Sequence, residues 1–159
     1  MKRIVRVIVK SIMVIALFLC VSATWVYLEF WLPHRTMYNH RESDFQDNYG
    51  TRKKIRNACH KVLSHRIGNY YAAFITISEV GNKDSIPYLI RALKWLPLQS
   101  QNEIATDIRI ERCERCLEQL TGVELGTDYK VWENWWQQTG RHLPFDEEKG
   151  TLVLPDRTK

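Results

Sequence analysis

Cys113 and Cys116 form a Cys-x-x-Cys pair, a spacing that serves metal centres and dithiol redox sites. A tetrahedral zinc site would need two further ligands. The sequence has no second Cys-x-x-Cys; Cys59 could supply one ligand, but its neighbours His60 and His65 project to different sides of their helix. Redox cysteines sit at exposed helix N-termini, where the thiolate is stabilised. Cys113 and Cys116 instead share a helical arc with Ile110, Leu117 and Leu120 and read as small core residues. A disulfide from Cys59 to Cys113 or Cys116 stays open for a chain in an oxidising compartment.

Other chemistry is thin. There is no Gly-rich phosphate loop, no His-Glu-x-x-His helix and no nucleophile motif, and Glu111, Glu114 and Glu118 are spaced like an exposed helix face. The reading is therefore non-enzymatic, with no catalytic residue, cofactor or metal assigned. Two groups suit contact with a partner. Arg52, Lys53, Lys54 and Arg56, continued by Lys61 and Arg66, lie in a stretch without acidic residues and could meet anionic lipid headgroups or an acidic protein; the alternative is an ordinary solvated helix face. Trp132, Trp135 and Trp136 share one side of a helix and serve to seal the end of a helical stack, with Trp132 or Trp136 left as a contact residue.

These residues hang on a chain of 159 residues, room for one small domain and an anchor. Of the formal charge of +5, Lys2, Arg3, Arg6 and Lys10 against Glu29 account for +3, which leaves too little elsewhere for a nucleic-acid binder. Ser11 to Leu28 is uncharged, apolar and long enough to cross a hydrocarbon core as a helix. Trp25, Tyr27, Phe30 and Trp31 sit where an aromatic belt belongs, Pro33 discourages further helix, and the basic N-terminus predicts a cytoplasmic N-terminus. Residues 1–33 thus read as a single-pass anchor in a cell inner membrane, with the domain on the extracytoplasmic side. Cleavage after Ala23 is the competing processing route; Cys20 lacks the small preceding residue expected of a lipidated cysteine.

Residues 34–50 read as a tether and 51–140 as the folded domain. A helix over 51–67 carries Ile55, Ala58, Cys59 and Val62 on one side; Gly68 stops it and Asn69 caps the next, the most buried helix, over 70–80. Gly81 is expected in the left-handed conformation, Asp84 or Ser85 as the following cap, and Pro87 in the first turn of a helix with Ile86, Leu89, Ile90 and Leu93 inward. Residues 95–98 break that helix, Ser100 with Glu103 starts another, Gly122 closes it, and Asp128 caps the tryptophan helix that Gly140 ends. In the tail, 141–159, Leu152-Val153-Leu154 is a small strand or a hydrophobic clip.

Two motifs resemble a known family. The Gly-Asp-type turn leading into Ile86-Pro87-Tyr88-Leu89-Ile90-Arg91-Ala92-Leu93 is similar to a HEAT-like repeat junction. Leu120-Thr121-Gly122, followed by Gly126-x-Asp128 and Trp132-x-x-Trp135-Trp136, resembles the closing segment of bacterial HEAT-like proteins related to the phycobilisome-lyase repeats. The resemblance implies an all-α, short HEAT-like hairpin stack and a non-catalytic, membrane-anchored protein-binding or scaffolding module. Its alternatives are a ligand-handling or lyase-like enzyme, which the lyase branch of the family suggests, and an exported thiol protein using Cys113 and Cys116.

Overall fold

The computed structural model describes residues 2–38, 49–66, 70–98 and 103–155. The chain is mostly helical. Helix α1 (Lys2–Val26) is long and apolar enough to cross a membrane and stands clear of the rest: Met13, Leu17 and Phe18 are each at least 67% exposed.

The helix does not end at Pro33. It widens into a π turn at Tyr27–Trp31, where the Leu32 N–H donates to the Tyr27 carbonyl, and continues as α2 (Leu32–Tyr38). The wide turn shifts the hydrogen-bond ladder just upstream of Pro33, so the missing amide and the ring are accommodated without a break. The predicted tether therefore begins as helix, and Pro33 and Met37 are buried against the domain. Of that stretch, 39–48 lies outside the described residues, and 49–50 are again helical.

Two helical layers follow. Helices α3 (Tyr49–His65), α5 (Ile86–Trp95) and α7 (Tyr129–Gln138) lie side by side in one; α4 (Tyr70–Val80) and α6 (Glu103–Thr121) form the other. Arg112 reaches the Tyr71 hydroxyl, the Cys116 thiol the Phe74 carbonyl and Gln119 the Ser78 carbonyl, so α4 and α6 run parallel. Tyr70 packs edge-on against Trp95, their ring centroids 4.7 Å apart, which brings the start of α4 beside the end of α5. Ile55, Phe74, Ile77, Leu89 and Leu117 fill the space between the layers with no exposure, each contributing about 1.5–3 kcal/mol through burial.

The punctuation differs in detail from the expectation. Gly81 is not left-handed; a Cβ there would stand 2.4 Å from the Ile77 carbonyl oxygen, so glycine is required by close approach. Ser85 stands at the cap position of α5 as expected but makes no side-chain capping bond there. The side-chain cap is Asn82, ahead of the 3-10 turn Lys83–Ser85; it accepts from the Asp84 N–H while the Ser85 hydroxyl accepts from the Asn82 N–H. Arg66, at φ 54°, turns the chain after α3; Gly68, Asn69 and Ser100 lie outside the described residues. Gly122 (φ 70°) closes α6, and Asp128 caps α7 by accepting from the Lys130 N–H at 2.8 Å. The tail is both strand and clip: β1 (Phe145–Asp146) pairs antiparallel with β2 (Thr151–Leu152), and Leu152 is buried in the core.

Candidate functional site

Helix α3 is squeezed between α2, α4 and α5, so its inward arc is broader than one apolar stripe. Ile55, Ala58, Cys59, Val62 and Leu63 are buried, and so are Arg56 and His60. Arg56 thus departs from the solvated or partner-facing position expected of it: it is 7% exposed and its guanidinium donates to the Val80 carbonyl at 3.1 Å, satisfying the end of α4. Its long aliphatic stem makes that burial tolerable while the charge remains.

His60 stacks on Tyr88 of α5, ring centroids 4.1 Å apart and nearly parallel, and its Nε2 lies 2.9 Å from Ser85 Oγ. Burial, and after it the Arg56 charge, pushes the imidazole down to about 4, so it is neutral at pH 7, and its tautomer sets which of Nε2 and Oγ donates. A His–Ser pair invites comparison with a nucleophile and its base. Ser85, however, has no exposure, and its Oγ already accepts from the Asn82 N–H. A substrate carbonyl has no path to it, and the pair acts as a polar lock between α3 and the turn that opens α5.

Around this lock the α3–α5–α7 layer forms an open recess of about 460 Å³, lined by Lys53, Arg56, Asn57, Lys83, Tyr88 and Trp136, with Asp84 and His60 also contributing. Lys53 and Asn57 are exposed, and the Arg91 guanidinium covers the Tyr88 ring at 4.7 Å. Lys53 is the exposed cation of this lining, while the buried Arg56 guanidinium sits on the Val80 carbonyl and the Lys83 ammonium donates to the Leu143 carbonyl. Their positive charge outweighs the single carboxylate of Asp84 over an aromatic floor and suits a carboxylate presented beside an apolar or aromatic side chain.

The structure brings Lys53, Arg56 and Trp136 into this recess. Arg52 lies instead in a second hollow with Glu79, Gln119 and Gly150, and donates to the Glu79 carbonyl. Lys54 is exposed and lines neither. Trp132 has no exposure, so it is unavailable as a contact residue; its indole N–H donates to the Gly126 carbonyl at 2.6 Å and its ring meets Trp135 edge-on. Tyr88 and Lys83 were not singled out from the sequence. Tyr88 sits one residue past Pro87 in a pattern dominated by the inward Ile86, Leu89 and Ile90, which masks a residue on the flank of that stripe.

Three of the four cysteines are core residues, and Cys20 is exposed on α1. Cys59, Cys113 and Cys116 are buried and free, so no disulfide joins Cys59 to the pair. The Cys113 thiol faces the Leu89 carbonyl at 3.3 Å and the Cys116 thiol the Phe74 carbonyl at 3.1 Å. Burial raises all three, Cys59 and Cys116 to about 12, the opposite of a reactive thiol and contrary to an exported dithiol protein. Among the described residues no group of three or more His, Cys, Asp or Glu side chains is placed to hold a metal ion.

Comparison with protein-family models, with curated proteins and with solved structures gave no match.

Proposed function

We propose that this chain is a membrane-anchored, non-enzymatic binding module of HEAT-like architecture, whose α3–α5–α7 face receives an acidic segment of a partner protein. The observation that carries the reading is the recess of Lys53, Arg56 and Lys83 over Tyr88 and Trp136. The two-layer arrangement of antiparallel hairpins, closed by the tryptophan helix, is what supports the HEAT-like description. Helix α1 supports the anchor, and the basic residues before it support an N-terminus in the cytoplasm with the recess on the other side of an inner membrane.

The test is peptide binding to the full chain in lipid nanodiscs. Acidic peptides bearing an aromatic residue should bind, and Lys53→Glu should weaken them about tenfold, equivalent to about 1.4 kcal/mol, while Lys54→Glu leaves binding unchanged. Equal binding of acidic and basic peptides, or indifference to Lys53→Glu, would overturn the assignment of this recess.

A further inference from the structure

The direction of each helix identifies the end of the domain that adjoins α1. His65, at the end of α3, packs against Phe30 with ring centroids 4.6 Å apart, and Lys61 pairs with Glu29 at 2.8 Å. The end of α3 therefore stands level with the aromatic cluster of Trp25, Tyr27, Phe30 and Trp31, where a membrane helix meets the headgroup layer. The chain then turns into α4 at Tyr70, and Trp95, the last residue of α5, lies against Tyr70. Leu96–Leu98, directly after α5, and the start of α6 consequently share this end.

Helix α6 projects beyond it. Because Arg112 is level with Tyr71 in a parallel pair, Ile104 lies eight positions earlier, about 12 Å further along at 1.5 Å per residue. That projecting end is apolar: Leu98 is 82% exposed, Ile104 74% and Ile108 49%. Such side chains are unremarkable singly on a soluble surface, but these three are gathered at the end that adjoins the foot of α1. Asp107 lies on the flank of the Ile104–Ile108 stripe, the disposition of an interfacial helix with a polar side. Beside the corner, Arg91 and Lys94 are exposed on α5 and line a recess of about 230 Å³ with Ser64, Arg66, Tyr88 and Trp95. Arg91 lies over the Tyr88 ring and donates to the Pro87 carbonyl, and Lys94 lies over the Tyr129 ring, contacts that leave both charges at the surface.

We propose that this corner, Leu98 with Ile104 and Ile108, enters the interfacial layer of the bilayer beside α1, and that Arg91 and Lys94 take anionic lipid headgroups there. Apolar residues supply insertion and the cations supply preference for anionic lipid. The proposal rests on α1 spanning that bilayer; it shares Tyr88 and its Arg91 cover with the acidic-segment recess but uses none of Lys53, Arg56 or Lys83.

Spin labels test it on the full chain with Cys20→Ser, the three remaining cysteines being buried. Labels at Ile104→Cys, at Phe18→Cys within α1 and at Glu124→Cys are read in vesicles of phosphatidylcholine with phosphatidylglycerol by their relative collision with oxygen and with an aqueous nickel complex. The expected result is a bilayer signature at Phe18→Cys, an interfacial depth at Ile104→Cys and an aqueous signature at Glu124→Cys. The Ile104→Cys depth should become severalfold more aqueous by the same ratio in Arg91→Glu/Lys94→Glu. An aqueous label at Ile104→Cys with Phe18→Cys immersed overturns the corner contact and leaves the span intact; an aqueous label at Phe18→Cys overturns both. Immersion at Ile104→Cys that is equal in pure phosphatidylcholine and unmoved by the charge reversals overturns the headgroup assignment.

Discussion

His60 Nε2 and Ser85 Oγ meet at 2.9 Å although 25 positions separate them, and this bond joins the inner face of α3 to the capping turn of α5. The buried imidazole is held neutral down to about 4, whereas in the unfolded chain it takes protons near its ordinary 6.5. The unfolded state therefore binds more protons between those values. The stability that depends on neutral His60 is fully present above about pH 6.5 and drains away as pH falls toward 4, with an upper limit of about 3 kcal/mol. Thermal unfolding of the full chain in detergent from pH 7.5 to 4.5 should show this decline, and His60→Gln should flatten it. A wild-type profile level over that range would contradict the assignment.

Gly81 and Gly122 should respond differently to the same substitutions. At Gly81 the obstacle is the Ile77 carbonyl, so Gly81→Ala and Gly81→Asn should each lower stability by about 1–3 kcal/mol. At Gly122 the obstacle is the positive φ, and asparagine, which enters that region more readily, should be tolerated better than alanine. Denaturant titration of the four variants distinguishes the two causes.

Trp132 carries both packing and one hydrogen bond. Trp132→Phe keeps most of the ring but abandons the Gly126 carbonyl, a loss of about 0.5–1.5 kcal/mol. Trp132→Ala opens a cavity under α7 at about 3–5 kcal/mol. Unfolding midpoints should fall in that order; equal effects would mean that the ring volume contributes little.

Thiol alkylation at pH 8 should leave Cys59, Cys113 and Cys116 unmodified in the folded chain and modify all three after denaturation, because burial both hides the sulfur and holds it protonated. Intact-mass measurement with iodoacetamide reads the count. Rapid modification of Cys116 under native conditions would reopen a redox role.

Much of the helical scaffold was legible from periodicity. The second domain helix, the inward Ile86, Leu89, Ile90 and Leu93, the Gly122 and Asp128 punctuation and the core position of Cys113 and Cys116 all follow from residue spacing. The recess was only half legible. Arg56 reads as surface because charge normally lies outside, and only the open carbonyl at Val80 explains its burial. Lys83, Tyr88 and Trp136 are brought to Lys53 by packing among three helices, a relation that the pattern within any one helix does not contain. Pro33 misleads for a local reason: its breaking tendency assumes a standard α-helical turn upstream, and the chain supplies a π turn there.

That unbroken passage from α1 through Pro33 into the buried Met37 has a mechanical corollary. With α1 in the proposed bilayer, a flexible linker would let the domain swivel freely about the bilayer normal, whereas a continuous helix couples the azimuth of the basic recess to the rotation of α1 about its own axis. A thinner bilayer that makes α1 lean would then swing the domain like the long arm of a lever. Two such chains associating through α1 would present their recesses at an angle set by the packing of the helices within the lipid.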